Sequence, residues 1–221
     1  MGDIISITAS NALFPRGLKS IPSPPPRLFA RGNLDLLTEP KMAAVVGTVS
    51  PGKEAAIHAH SVVSALVRRG FVVVSGLASG CDTLAHAACL DVRGKTIAVL
   101  AHGLDYCYPR ANYPLFRAIL EKGGLLLSEY PAGVRPKRQY FVIRNRLQSG
   151  LGRGICVIEA EREGGTMHTA RFACKQKRLV GCVPSGAGGN VFLLSEKNAW
   201  PLGTEREIET FIDMLEHEVM L

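Results

Sequence analysis

Three glycine-bearing stretches hold the residues best suited to chemistry. "SGLASGCD" (75–82) leaves one apolar run, "EGGTMHTA" (163–170) leaves another, and Gly47-Thr48 closes a third. Glycines permit tight turns and let a phosphate approach backbone N–H groups closely. A helix that starts there adds the positive end of its dipole. Ser75, Gly76, Leu77, Ala78 and Ser79 therefore read as a phosphate cradle, with Gly164, Gly165 and Thr166 opening a second helix. Asp82 is expected to cap the helix after the first turn. From Tyr130 to Gly154 there are six basic residues (Arg135, Lys137, Arg138, Arg144, Arg146, Arg153) and no acidic one. Such a block points to a polyanion or a phosphate-bearing ligand; the plainer alternative is an exposed loop with chance charge.

Other chemistries find little support. His58, His60, His86, His102, His168 and His217 are scattered without H-E-x-x-H spacing, so no metal is expected. His86 lies one turn after Asp82 and is expected to hydrogen-bond within its helix. Ser75 and Ser79 do not sit in G-x-S-x-G, and no catalytic residue is assigned. Cys81, Cys89, Cys107, Cys156, Cys174 and Cys182 form no C-x-x-C pair, and most lie in apolar surroundings, so buried reduced thiols are expected.

The elements that must position these groups follow from periodicity. Apolar runs at 43–47, 71–75, 96–101, 125–129, 155–160 and 179–184 are continuous, as in strands covered on both faces. Helix-period segments lie between them: one with Ile57, Val62, Val63, Leu66 and Val67 at helical spacing, and others at 82–94, 113–123 and 166–177. Strand–helix repetition predicts an α/β, doubly wound, mostly parallel sheet with helices on both faces, of extended Rossmann-like type. In such a sheet the loops after the strands share one edge, and the basic block between the fourth and fifth runs can rim it. Residues 1–41 are proline-rich and read as an arm packing on the main domain, 42–203. Residues 184–190 read as a loop. Residues 204–221 form an acidic amphipathic helix with the stripe Ile208, Phe211, Ile212, Leu215 and the acids Glu205, Glu207, Glu209, Asp213, Glu216 and Glu218.

The 221 residues are 47% hydrophobic with net charge +7, an ordinary globular composition. No apolar segment is long enough for a bilayer, and the start lacks a signal-peptide pattern, so a cytoplasmic location is expected, without membrane. "MGDIIS" fits a crude myristoylation pattern only.

The joint presence of "SGLASGCD", "GLDYCYP", "LLSEYP" and "IRNR", within a match from about Phe14 to about Pro184, resembles the DNA-processing protein DprA (Smf) family. The resemblance implies an extended Rossmann fold that binds single-stranded DNA, forms a homodimer, acts in transformation and helps load the RecA recombinase, with no cofactor and no known enzymatic activity. By position, Gly47, Thr48, Ser75 to Ser79, Arg144, Asn145, Arg146 and Gly164 to Thr166 would line the phosphate pocket. Lys137 and Arg138 would extend the strand path, and Phe141 could offer a face to a base. Two departures stand out. Val49 replaces an arginine usual in the family's Gly-Ser-Arg, and Gly165-Thr166-Met167 replaces Ser-Gly-Ser-Leu. The family's frequent extra domains do not fit this length, so a minimal or divergent member is expected.

The mechanism expected of a DNA binder is electrostatic first, because each neutralised phosphate releases counterion. Arginines can hold phosphates bidentately, and Phe141 or Tyr140 could stack bases for roughly 1–3 kcal/mol each. The plainer readings are an Arg144 ion pair with Glu129 or Glu159, and Phe141 as a core residue. A second class is a nucleotide-hydrolysing phosphoribohydrolase of the LOG type, in which Glu159 or Glu161 polarises a ribosyl bond and Arg144 holds the phosphate. A third is a scaffold that meets partners through its acidic terminal helix.

Overall fold

The structure, a computed structural model, describes residues 2–217. The six apolar runs become β3 (Met42–Val46), β4 (Val72–Ser75), β5 (Thr96–Leu100), β6 (Leu125–Ser128), β7 (Gly154–Val157) and β8 (Leu179–Cys182). They pair in parallel, and every residue of β3 to β7 is buried. Their side chains alternate between two apolar layers: Ala44, Val46, Val72 and Val74 face one, Ala43, Val45 and Val73 the other. Helices α5 (Arg138–Leu151) and α6 (Gly165–Lys175) cover the first layer with Leu147, Leu151, Met167 and Ala170. Helices α2 (Ala55–Arg68) and α3 (Cys81–Asp91) cover the second. Helix α4 (Tyr113–Glu121) sends Phe116 and Ile119 into a third cluster with Leu77 and Leu104.

The sheet runs β1-β2-β6-β5-β4-β3-β7-β8-β9. Its antiparallel edge comes from the segment expected to be an arm. β1 (Ile5–Thr8) and β2 (Arg27–Gly32), with α1 (Arg16–Lys19) between them, continue the sheet past β6, and Phe14, Leu18 and Leu28 enter its core. The reason is that β6 is buried throughout, and its outer row of N–H and C=O groups needs a partner strand. The opposite edge ends on the two-residue β9 (Trp200–Pro201). The expected loop at 184–190 turns into α7 (Gly188–Ser195) at Gly188. Its glycines serve close approach: a Cβ on Gly189 would lie 2.5 Å from the Ala160 carbonyl oxygen. Beside it the buried Asn190 accepts from the Ala160 N–H and donates to the Ile158 and Val183 carbonyls.

Five cysteines are buried and Cys174 is exposed, all as free thiols. Burial pushes the Cys81, Cys89, Cys156 and Cys182 thiols up to about 12, which leaves them protonated and unreactive. Among the described residues no helix is long and apolar enough to cross a membrane.

Helix α8 (Glu205–His217) lays Ile208, Phe211, Ile212 and Leu215 on the α2 side of the sheet. Its acids face a fixed set of cations. Arg69 reaches Glu209 at 3.1 Å, Asp213 at 2.8 Å and also Glu216, and Lys41 reaches Glu216 at 2.8 Å. Much of the acidic face is thereby neutralised within the chain; Glu218 lies outside the described residues. Hydrogen bonds from Lys41 and Arg69 hold the Glu216 carboxyl below the usual range. A depressed folded value gives stability that is present above the unfolded value, about 4.3, and lost as pH falls through the folded one. Amide protection in α8 is therefore expected to fall on acidification before that of β3 to β5. Hydrogen exchange followed from pH 7 to pH 3 measures this, and an α8 that opens only together with the sheet would contradict it.

Candidate nucleic-acid interface

The chain winds from β3 through β4 and β5 to β6 on one side, then returns through α5 to β7 and β8 on the other. Loops leaving β3 and β7 must diverge, and they open a crevice at the carboxyl ends of these neighbouring strands, where open α/β sheets bind ligands. The crevice has a volume of about 290 Å³. Gly47, Thr48 and Val49 after β3 form one wall, and Gly164, Gly165 and Thr166 at the start of α6 another. A stripe of α5 completes it: Phe141, Arg144, Asn145 and Gln148, spaced three, four and seven residues apart and so on one helix face.

The bare turn at 75–80 is explained by the protein's own guanidinium. Arg144 is buried, at 4% exposure, and its Nη1 donates to the Gly76 carbonyl at 2.8 Å and to that of Val99. A Cβ on Gly76 would lie 2.1 Å from this Nη1 and 2.5 Å from Asp82 Oδ2. Gly76 is thus the gap through which Arg144 and Asp82 face each other. Burial pushes the Asp82 carboxyl above its ordinary value, and the Arg144 charge opposes that rise. Asp82 does not cap α3. Gly80 is the residue before the helix, Asp82 lies in its first turn, and its carboxylate turns back to the Ala78 N–H at 3.4 Å. The first amide of α3, that of Cys81, donates to the Thr48 carbonyl. The first amide of α3 is therefore engaged within the protein; neither α3 nor α6 has a side-chain cap, and the start of α6, after Gly164, lines the crevice.

The remaining expected residues divide. Ala78 lines the crevice; Ser79 is exposed beside it; Ser75 is buried and donates to the Val45 carbonyl; Leu77 points into the core. Lys137 and Arg138 are exposed at the start of α5. Arg146 leaves the crevice altogether. Two residues of helix turn it roughly 200° from Arg144, and both its terminal nitrogens hold Glu129, at 2.6 and 2.5 Å. The expected ion pair with Glu129 exists, but Arg146 makes it. Arg144 pairs with neither Glu129 nor Glu159. The Glu159 carboxylate accepts from the Gly52 N–H at 2.9 Å, while exposed Glu161 lines the crevice. His86 bonds across to Thr96 Oγ1 on β5 at 2.8 Å and not within its helix; burial pushes it down to about 3, so it is neutral. Among the described residues no cluster of three or more His, Cys, Asp or Glu could hold a metal ion.

One feature escaped sequence reasoning, and a second was foreseen only at Lys137, Tyr140 and Phe141. Asn112 donates from Nδ2 to the Leu77 and Ala78 carbonyls and to Thr83 Oγ1, which pins the turn, with Leu77 held at φ 55°. An isolated Asn ahead of a helix carried no signal for this. The second is a rim of rings and cations after β5 and β6. Arg135 lies 4.4 Å over Tyr106, Lys137 5.5 Å over Tyr140, Tyr140 stacks on Tyr130 at 4.3 Å, and Tyr108 meets the half-buried Phe141 at 5.8 Å. The tyrosines of "GLDYCYP" and "SEYP" were the available signal.

The fold and crevice define a Rossmann-like α/β protein with a cleft at its topological switch point. Residues 5–210 match the family described as DNA recombination-mediator protein A, and the chain belongs to this family. It is 38% identical over 201 residues to the DNA processing protein DprA of Bacillus subtilis, covering 87% of this chain and 66% of that protein. It is 42% identical to Protein Smf of Synechocystis over 81% of this chain and 46% of that one. The chain thus spans about half to two thirds of the length of these relatives. DprA of Streptococcus pneumoniae superposes with a TM-score of 0.85 at 37% identity, over 94% of this chain and 74% of that one. The Helicobacter pylori protein, described for its single-stranded DNA binding mode, superposes with a TM-score of 0.86 at 28% identity, over 95% and 97%.

Proposed function

We propose that this chain binds single-stranded DNA, with the backbone passing the open start of α6 and the rim at the start of α5. The observation that carries this reading is the placement of exposed Lys137 and Arg138, interleaved with stacked tyrosines, beside a crevice that offers α6 amides. Cations that neutralise phosphates and rings that stack on bases without choosing sequence are the requirements of single-strand binding. The family and the single-strand binding described for the Helicobacter pylori relative support it. In this reading the chain is a cytoplasmic binding protein, not an enzyme. It acts as a homodimer in DNA uptake and transformation and hands DNA to a RecA recombinase.

Arg146 takes no part in this strand path, because Glu129 already holds it, and Arg144 acts mainly by shaping the crevice. The test is therefore made on residues that carry no internal contact across the fold. Affinity for an oligonucleotide is measured at several salt concentrations. Lys137→Ala with Arg138→Ala is expected to weaken binding and flatten the log–log salt slope by about 0.7 per lost cation. Val49, 62% exposed at the crevice wall, stands where the family's arginine is usual, and Val49→Arg is expected to tighten binding and steepen the slope by about the same step. Slopes indifferent to all three changes would refute the strand path.

A further inference from the structure

A second cavity lies at the opposite end of the sheet. Strand β3 runs between the two: Val46 borders the crevice at its carboxyl end, and Met42 borders this cavity at its amino end. The volume is about 560 Å³, within the usual range of small-molecule sites. Its floor is apolar: Phe14, Leu37, Met42 and Leu151 line it and are each 2% exposed or less. Its rim carries charge from segments far apart in the chain, on Arg16, Glu39, Arg153 and Glu216. These charges are not equivalent. Glu216 is already held by Lys41 and Arg69. Arg153 donates from Nε to the Pro40 carbonyl at 2.8 Å and from Nη1 to the Leu215 and Glu216 carbonyls at 3.1 and 2.8 Å. Neutral carbonyls fix this guanidinium without cancelling its charge. Among the described residues its Nη2 makes no hydrogen bond, and the side chains of Arg16 and Glu39 have neither a hydrogen bond nor an ion pair. Two uncompensated cations thus share the rim with one free carboxylate.

We propose that this cavity binds an apolar monocarboxylate, its carbon chain on the floor of Phe14, Leu37, Met42 and Leu151 and its carboxylate between Arg16 and Arg153. Guanidinium groups match a carboxylate with paired, charge-assisted hydrogen bonds, and burial of a carbon chain on an apolar floor adds the hydrophobic contribution. Other ligand classes satisfy only part of the site. A free phosphate would meet the cations and leave the floor empty. A hydrocarbon would fill the floor and leave the cations unused. A nucleobase edge would find no donor or acceptor among the floor side chains, and the Thr38 hydroxyl nearby already donates to the Asp35 carbonyl. A free fatty acid and the carboxyl-terminal residue of an apolar peptide share the chemistry that fits. Because Arg153 also holds the last turn of α8, a bound carboxylate ties that helix to residues 12–17 on the other side of the cavity. The site is independent of the single-strand reading.

The test uses the whole chain with octanoate, with octanol as the same carbon chain without charge, and with a short apolar peptide ending in leucine, its carboxyl free or amidated. Binding is read by calorimetric titration, by the melting temperature, which a ligand of the folded state raises, and by amide exchange in α8. Octanoate or the free-carboxyl peptide is expected to raise the melting temperature and to slow exchange in the last turn of α8, and octanol and the amidated peptide to bind at least tenfold more weakly. Arg16→Gln is expected to weaken carboxylate binding by about tenfold. Glu39→Gln is expected to tighten it, because it removes the opposing charge. Neither change is expected to move the melting temperature of the free protein, since both side chains are exposed and without internal partners. Binding of octanoate alone assigns the cavity to a free carboxylic acid; binding of the peptide alone, lost on amidation, assigns it to a chain terminus. Binding of neither, octanol bound as tightly as octanoate, or an affinity indifferent to both Arg16→Gln and Glu39→Gln overturns the proposal.

Discussion

Gly76→Ala is expected to cost about 3 kcal/mol or more of folding stability, although it adds one methyl group. The methyl would sit 2.1 Å from Arg144 Nη1 and 2.5 Å from Asp82 Oδ2. Distances below 3 Å are relieved cheaply when a flexible side-chain end can retreat. Here it cannot, because the guanidinium is buried and donates to the carbonyls of Gly76 and Val99. Displacing it leaves buried acceptors without donors and a buried charge without its pocket, a class of change that costs about 3–5 kcal/mol. Ser79→Ala, in the same turn but exposed, is the control and is expected to stay within about 0.5 kcal/mol of the parent. Denaturant unfolding of both measures the difference. A Gly76→Ala chain as stable as the control would show that Arg144 has room the structure does not give it.

Arg144→Met is expected to cost a comparable amount, about 3–5 kcal/mol at neutral pH, with a pH dependence that identifies the cause. Burial already raises the Asp82 carboxyl, and the Arg144 charge is what opposes that rise. Without the guanidinium the folded-state value climbs further above the unfolded one, about 3.9. A raised folded value means the protonated carboxyl suits the fold. Its contribution is complete below the unfolded value and is lost as pH rises through the folded one. The penalty of Arg144→Met should therefore be smaller near pH 4, where only the lost hydrogen bonds to the Gly76 and Val99 carbonyls remain, and full near pH 8, and Asp82→Asn in the same chain should remove most of the pH dependence. Unfolding curves at the two pH values decide it; a penalty equal at both, or larger in acid, would mean that Asp82 is not the group left uncompensated. Loss of DNA binding in Arg144→Ala would likewise report a deformed crevice before it reported a lost phosphate contact.

Much of this molecule was legible in its residues. The runs that became β3 to β8 are continuous in apolar residues because each strand is covered on both faces, so environment and local sequence say the same thing. Parallel strands then send their following loops to one edge by geometry alone, which is why the turns at 47–48, 75–80 and 163–166 could be placed together before any contact was known. The stripe of α8 was equally plain, since Ile208, Phe211, Ile212 and Leu215 repeat at helical spacing and are buried as a set. What periodicity could not supply was the partner of each charge. Arg144 and Arg146 look equivalent around Asn145. The helix turns one toward a carbonyl 68 residues back in the chain and the other toward Glu129. The same holds for Asn112 under the glycine turn and for the strands β1 and β2, which have a place only because β6 would otherwise end the sheet. Amphipathic spacing is a property of neighbouring residues and can be read one segment at a time. The neutralisation of a buried charge, or the pairing of an open strand edge, depends on which distant segments the packed core brings within about 3 Å, and that was decided only when the whole chain had folded.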